Sequence, residues 1–147
     1  MIKCVALVLL FVSGFAHCAE QVKFLNSDAN LKQGFPFSEA TQVGELLFLS
    51  GQLGIDPATS RLVKGGIGPE TKQMMLNISA TLKRYNSSLD KVAKCTVFLA
   101  DIKEWGEFND VYRSFFKGNY PARSALGSSG LALGARVEVE CIAVVNG

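Results

Sequence analysis

The sequence predicts an α+β domain of two layers, a mixed β-sheet with two helices packed on one face. Three observations carry this. Strand-type runs occupy both ends of the chain, two segments of helical spacing stand isolated among them, and no repeat, low-complexity tract or linker interrupts the 147 residues. The resulting order, βββαβαββ, is that of helices set among mainly antiparallel strands rather than of a regular βαβ array.

The first 19 residues read as a leader. Lys3 is followed by an apolar run over 5–12 and by small residues at Gly14, Ala16 and Ala19, the order of a secretory signal peptide. The run is too short for a stable membrane span. A lipoprotein reading through Cys18 is weaker, because His17 precedes it where a small residue is expected. The expectation is a signal peptide over 1–19, a single domain over 20–147, export to the periplasm or the outside, and no membrane attachment after cleavage. Cleavage takes away Lys3 and no acidic residue, so the net charge of +2 becomes +1. No cluster of Lys and Arg is left to neutralise several phosphates, so nucleic acid is not an expected partner. His17 is the single histidine, and cleavage after it excludes Ser-His-Asp, Cys-His and His-ligated metal chemistry. Of four cysteines, Cys95 and Cys141 remain, each in an apolar strand context. Buried inert thiols are the default reading; a disulfide is the alternative if their strands are adjacent. Neither a metal nor an organic cofactor is expected.

Residues 21–25 suit an edge strand. Residues 40–44 and 45–53 flank a Gly44-Glu45 pair, which signals a hairpin. Asp56-Pro-Ala-Thr-Ser60 has turn chemistry. Gly65, Gly66 and Gly68 fit neither a GxGxxG nor a Walker pattern, so they read as a flexible entry to a helix beginning near Pro69. Met74, Asn77 or Ile78, Thr81 or Leu82, and Tyr85 recur at helical spacing and give that helix, over 69–85, a face against the sheet. Asn77-Ile-Ser and Asn86-Ser-Ser are formal glycosylation sequons. Residues 92–100 read as a strand, Asp101 as an N-cap, and 104–117 as a second helix whose sheet side holds Trp105, Phe108, Val111, Tyr112, Phe115 and Phe116.

Site chemistry concentrates at the C-terminal end. Residues 136–144 alternate polar and apolar and then become apolar throughout, which puts Glu138 and Glu140 on one face of a strand. Pro121 stiffens the approach to Arg123, and a short strand there ends in Gly127-Ser-Ser-Gly130. Arg and Glu on neighbouring strands suit a cleft that grips a carboxylate with a planar fork and moves protons beside it. They equally suit a strand-edge salt bridge.

Pro121-Ala-Arg-Ser-Ala125, followed by Val137-Glu-Val-Glu-Cys-Ile-Ala-Val144, resembles the C-terminal signature of the Rid/YjgF family of reactive intermediate deaminases. Leu47-Phe-Leu-Ser-Gly-Gln-Leu-Gly-Ile-Asp-Pro-Ala-Thr59 is similar to the family's SGQxxxDPxTG segment, 92–101 to its VxKxTVFLxD strand, and 108–116 to its VNxVYxxFF helix. The resemblance covers roughly residues 34–146 in order. It implies a chorismate mutase-like domain assembled as a homotrimer, with clefts between subunits. It also implies hydrolysis of a small carboxylate-bearing 2-imino acid, the tautomer of an enamine, to a 2-oxo acid and ammonia. Arg123 matches the carboxylate-binding arginine and Glu138 the acidic catalytic residue, while Ser50 and Asn109 match positions lining the same cleft. Phe37 stands where relatives usually carry Tyr, a lost hydroxyl worth about 1 kcal/mol if its bond is ordinary. Ala125 replaces a family Cys, and Gly127-Ser-Ser-Gly130 replaces a β-branched run, so the pocket wall is expected to be looser. A binding module of the same fold without turnover is the competing reading, and a ribonuclease, an activity credited to some relatives, a more distant one.

Overall fold

The computed structural model describes residues 20–145. The expected leader over 1–19 lies outside the described residues. Strand β1 (Lys23–Leu25) and a short helix α1 (Asp28–Gln33) precede β2 (Ala40–Val43), β3 (Leu46–Leu49) and β4 (Gln52–Leu53). A small hairpin, β5 (Ile55–Asp56) with β6 (Arg61–Leu62), leads to α2 (Ile67–Arg84). Then come β7 (Val92–Leu99), α3 (Trp105–Tyr112), β8 (Ala122–Gly127) and β9 (Val137–Val144). The main sheet runs β1-β2-β3-β9-β7-β8, with β4 continuing beside β9. Only the β7–β8 pair in it is parallel, joined through α3, so the sheet is mixed as the sequence predicts.

Alternation along each strand decides what faces the helices. Leu47 and Leu49 of β3, Cys95, Val97 and Leu99 of β7, and Val137, Val139, Cys141 and Ala143 of β9 are buried beneath α2 and α3. From α2 they meet Met74, Met75, Ile78 and Leu82. Helix α2 begins two residues before Pro69, because a proline in the first turn forfeits no hydrogen bond. Its end is fixed by Asn86 in the left-handed region (φ 57°) and by Ser87, whose N–H reaches Leu82 O at 2.8 Å and whose Oγ donates to Val144 O at 2.7 Å. Asn77 spends both amide hydrogens on Leu53 O (2.9 Å) and Ile55 O (2.8 Å), docking α2 on β4 and β5. This sequon is therefore a structural joint, whereas Asn86 is exposed.

Four expectations change. The second helix is not continuous over 104–117: a 3-10 turn precedes it, and at its end Arg113 Nε donates to Asn109 O while Ser114 Oγ donates to Val111 O, side-chain bonds that compete with further helix. Trp105 is not sheet-facing but 47% exposed, since the buried stripe consists of Phe108 and Tyr112. Cys95 and Cys141 are not free thiols: β7 and β9 pair directly, the two cysteines stand opposite each other with Cα atoms 4.1 Å apart, and they form a disulfide. Finally, the strands bearing Arg123 and Glu138 are not neighbours, because β7 lies between β8 and β9.

Candidate active site

Arg123 is the second residue of β8 and pairs in parallel register with Cys95, so both point to the helix layer. There its guanidinium carbon stands 4.9 Å from the Tyr112 ring centroid and 5.5 Å from that of Phe108. Among the described residues no carboxylate forms a salt bridge with it. The fork opens into a cleft of about 440 Å³ lined by Asn109, Tyr112, Arg113, Tyr120, Pro121 and Arg123. Asn109 and Arg123 are thus brought together, by the single crossover that links β7 to β8.

Glu138 lies on the opposite face of the sheet. It pairs with Phe98 of β7 and Leu53 of β4, and with Glu140 it projects away from the helices. Its carboxylate rests on the backbone of Gly51: a Cβ there would fall 1.9 Å from Glu138 Oε1. Burial, and after it the charge of Glu140, hold Glu138 above the ordinary carboxylate range. Ser50, next to Gly51, donates its hydroxyl to Ser38 O at 2.7 Å, and among the described residues nothing donates to its Oγ. Phe37 stacks on Phe35, with centroids 5.0 Å apart and planes 6° from parallel. Phe37, Ser50 and Glu140 line one cleft of this face.

The expected residues therefore form two half-sites. Arg123 and Asn109 stand together on the helix side, an arrangement that can take an anion. Glu138, Ser50 and Phe37 stand on the open side, where a carboxyl of raised proton affinity can exchange protons. Tyr112, Phe108 and Gly51 complete these halves without having been singled out from the sequence for the site, while Glu140 shares the face of Glu138 as expected; the i, i+4 spacing of Phe108 and Tyr112 on the helix leading to Arg123 was the available signal.

The family model described as Endoribonuclease L-PSP matches residues 27–145. The chain belongs to this family, the Rid/YjgF proteins. A bovine 2-iminobutanoate/2-iminopropanoate deaminase is 45% identical over 109 residues, which cover 74% of this chain and 80% of the relative. The crystal structure of RidA from an Antarctic Psychrobacter is 34% identical, with a TM-score of 0.72 over 76% of this chain and 89% of that one. The structure of Escherichia coli TdcF with bound serine is 27% identical, with a TM-score of 0.72 over 76% and 90% of the two chains.

Proposed function

We propose that this Rid protein hydrolyses 2-imino acids, and the enamines in equilibrium with them, to 2-oxo acids and ammonia. The observation that carries the proposal is Arg123, a fork held on aromatic rings and left without an acidic partner among the described residues. Such a fork binds a carboxylate bidentately, and the deaminase named among the relatives acts on substrates that carry one. Arg123 fixes the carboxylate and thereby C2. Asn109 lines the same half, and Phe37 and Ser50 wall the other. Glu138, whose raised proton affinity suits a group that takes and returns protons, deprotonates a water as it attacks C2. Glu138 gives that proton to the nitrogen, forming the neutral carbinolamine, and then carries the hydroxyl proton to the same nitrogen as the C2–N bond breaks, releasing ammonia and leaving the C2–O bond as the ketone. The chemistry calls on no metal, and the described residues contain no cluster of His, Cys, Asp and Glu that would hold one.

One copy holds Arg123 and Glu138 on opposite faces, so we place the complete site between copies, in a homotrimer. The helix-free face supports this: Leu46 and Phe48 leave it 43% and 36% exposed, an apolar surface suited to a second copy. The test couples the purified protein to an amino-acid oxidase and follows capture of the free imine by semicarbazide. Arg123→Ala and Glu138→Gln should each lose activity, and their co-expression should restore it in mixed oligomers, where some clefts take both intact halves. If the single variants stay active the site is misassigned and the non-catalytic binding module gains; if co-expression restores nothing the shared cleft is wrong. Export is likewise proposed, supported by the Cys95–Cys141 disulfide, a bond suited to oxidising compartments. An intact mass of the mature protein showing residues 1–19 retained would refute it.

A further inference from the structure

Three other arginines of the fold are held by acids. Arg84 pairs with Glu39, Arg113 with Asp110 at 3.3 Å, and Arg136 with Glu104 through Nε at 2.8 and 2.9 Å. Arg123 instead lies over two rings that are themselves immobilised. Phe108 is fully buried and Tyr112 is 97% so, their centroids are 5.3 Å apart, and Phe116 packs against Tyr112 at 4.9 Å. The Tyr112 hydroxyl is buried and finds no hydrogen-bond partner among the described residues.

We propose that Tyr112 and Phe108 are positioning residues for Arg123, their ring faces standing in for a counter-ion so that every guanidinium donor stays available to the substrate carboxylate. A protein carboxylate in that place would orient the fork equally well, but the substrate would have to displace it. A ring face attracts the cation without occupying an N–H, and the attraction strengthens where water is excluded. The orphaned hydroxyl assigns the role to the ring of Tyr112 and not to its oxygen. Residue order makes the device compact: the two rings are four positions apart on α3, and the chain leaving α3 returns directly as the strand that bears Arg123.

This inference rests on Arg123 binding the carboxylate, and its test separates the two claims. Wild type, Tyr112→Leu and Tyr112→Phe are compared in KM and kcat for 2-iminobutanoate, and in calorimetric affinity for 2-oxobutanoate and for its uncharged amide. Tyr112→Leu should raise KM and weaken 2-oxobutanoate binding roughly tenfold, with kcat changed much less and amide binding unchanged. Tyr112→Phe should recover the wild-type values. A Phe variant as defective as the Leu variant would assign the role to the hydroxyl and overturn the proposal, as would a Leu variant with wild-type KM. Should Tyr112→Leu fail to fold, the wild-type protein decides by nuclear magnetic resonance: the Arg123 side-chain protons should be displaced upfield by the ring currents, and ordinary positions would overturn the platform. If Arg123→Ala itself keeps full deamination, the assignment of the site falls; if it loses activity while Tyr112→Leu does not, only the platform falls.

Discussion

Reducing the Cys95–Cys141 bond adds two hydrogens to the core and leaves its volume nearly unchanged, so the effect on stability is dominated by the unfolded chain. The bond closes a loop of sequence separation 46 between paired strands β7 and β9. For a loop of that length the chain-entropy relation gives about 13 to 14 cal/mol/K, or about 4 kcal/mol at 25 °C. That is a large share of the roughly 5–15 kcal/mol that holds an ordinary domain together. In a domain of this size it corresponds to a fall in Tm of about 12–20 °C. The assay is urea and thermal unfolding with and without dithiothreitol at fixed protomer concentration, since assembly also contributes to apparent stability. The double variant Cys95→Ala, Cys141→Ala should match the reduced protein to within its small cavity cost and be indifferent to the reductant. Coincident unfolding curves for oxidised and reduced wild type would refute the reasoning, because they would mean that the link constrains nothing the unfolded chain explores.

Further outcomes are expected at the site and the helix joint. Gly51→Ala should push the Glu138 carboxylate from its seat; the clash is with the far end of a flexible side chain, so stability should change little while kcat falls roughly tenfold to a hundredfold. A Gly51→Ala enzyme with wild-type kcat would show that Glu138 need not sit there. Glu140→Gln removes the second cause of Glu138's raised proton affinity, so the acid limb of the kcat/KM profile should move to lower pH; a limb that stays or rises contradicts the assignment of Glu138 as base. The stability sign agrees: a carboxyl whose folded-state pKa is raised favours the fold when protonated, so this contribution is lost as pH rises through the folded value. Asn77→Leu strips both carbonyls at the α2 joint of their donor and should cost about 1–3 kcal/mol in denaturant unfolding. A cost near zero would mean that water replaces the amide.

The core strands and α2 were legible because β3, β7 and β9 are apolar or alternating runs bounded by turn residues and α2 keeps its apolar stripe. What periodicity lacks is the order of strands across the sheet. Arg123 and Glu138 looked like neighbours because their strands are consecutive, yet β7 lies between them, and the register sets the two side chains on opposite faces, Arg123 beside Cys95 and Glu138 beside Phe98, three residues further along β7. The disulfide was open for the same reason: two cysteines 46 residues apart reveal nothing until β7 and β9 are known to pair. The site residues themselves came from the family resemblance, since Arg-plus-Glu spacing alone equally describes a surface ion pair. The aromatic floor under Arg123 was visible as a hydrophobic stripe, and only the register of β8 gives it a second use.

The two half-sites differ in how far along the chain they must gather their parts. Asn109 and Arg123 belong to one crossover, whereas Phe37, Ser50 and Glu138 meet only when the opposite ends of the domain have closed into one sheet through the pairing of β3 and β4 with β9. Contacts between segments far apart in sequence are the ones that slow folding. Opening of that end-to-end pairing scatters Phe37, Ser50 and Glu138, whereas Asn109 and Arg123 stay close along the chain on either side of one short connection.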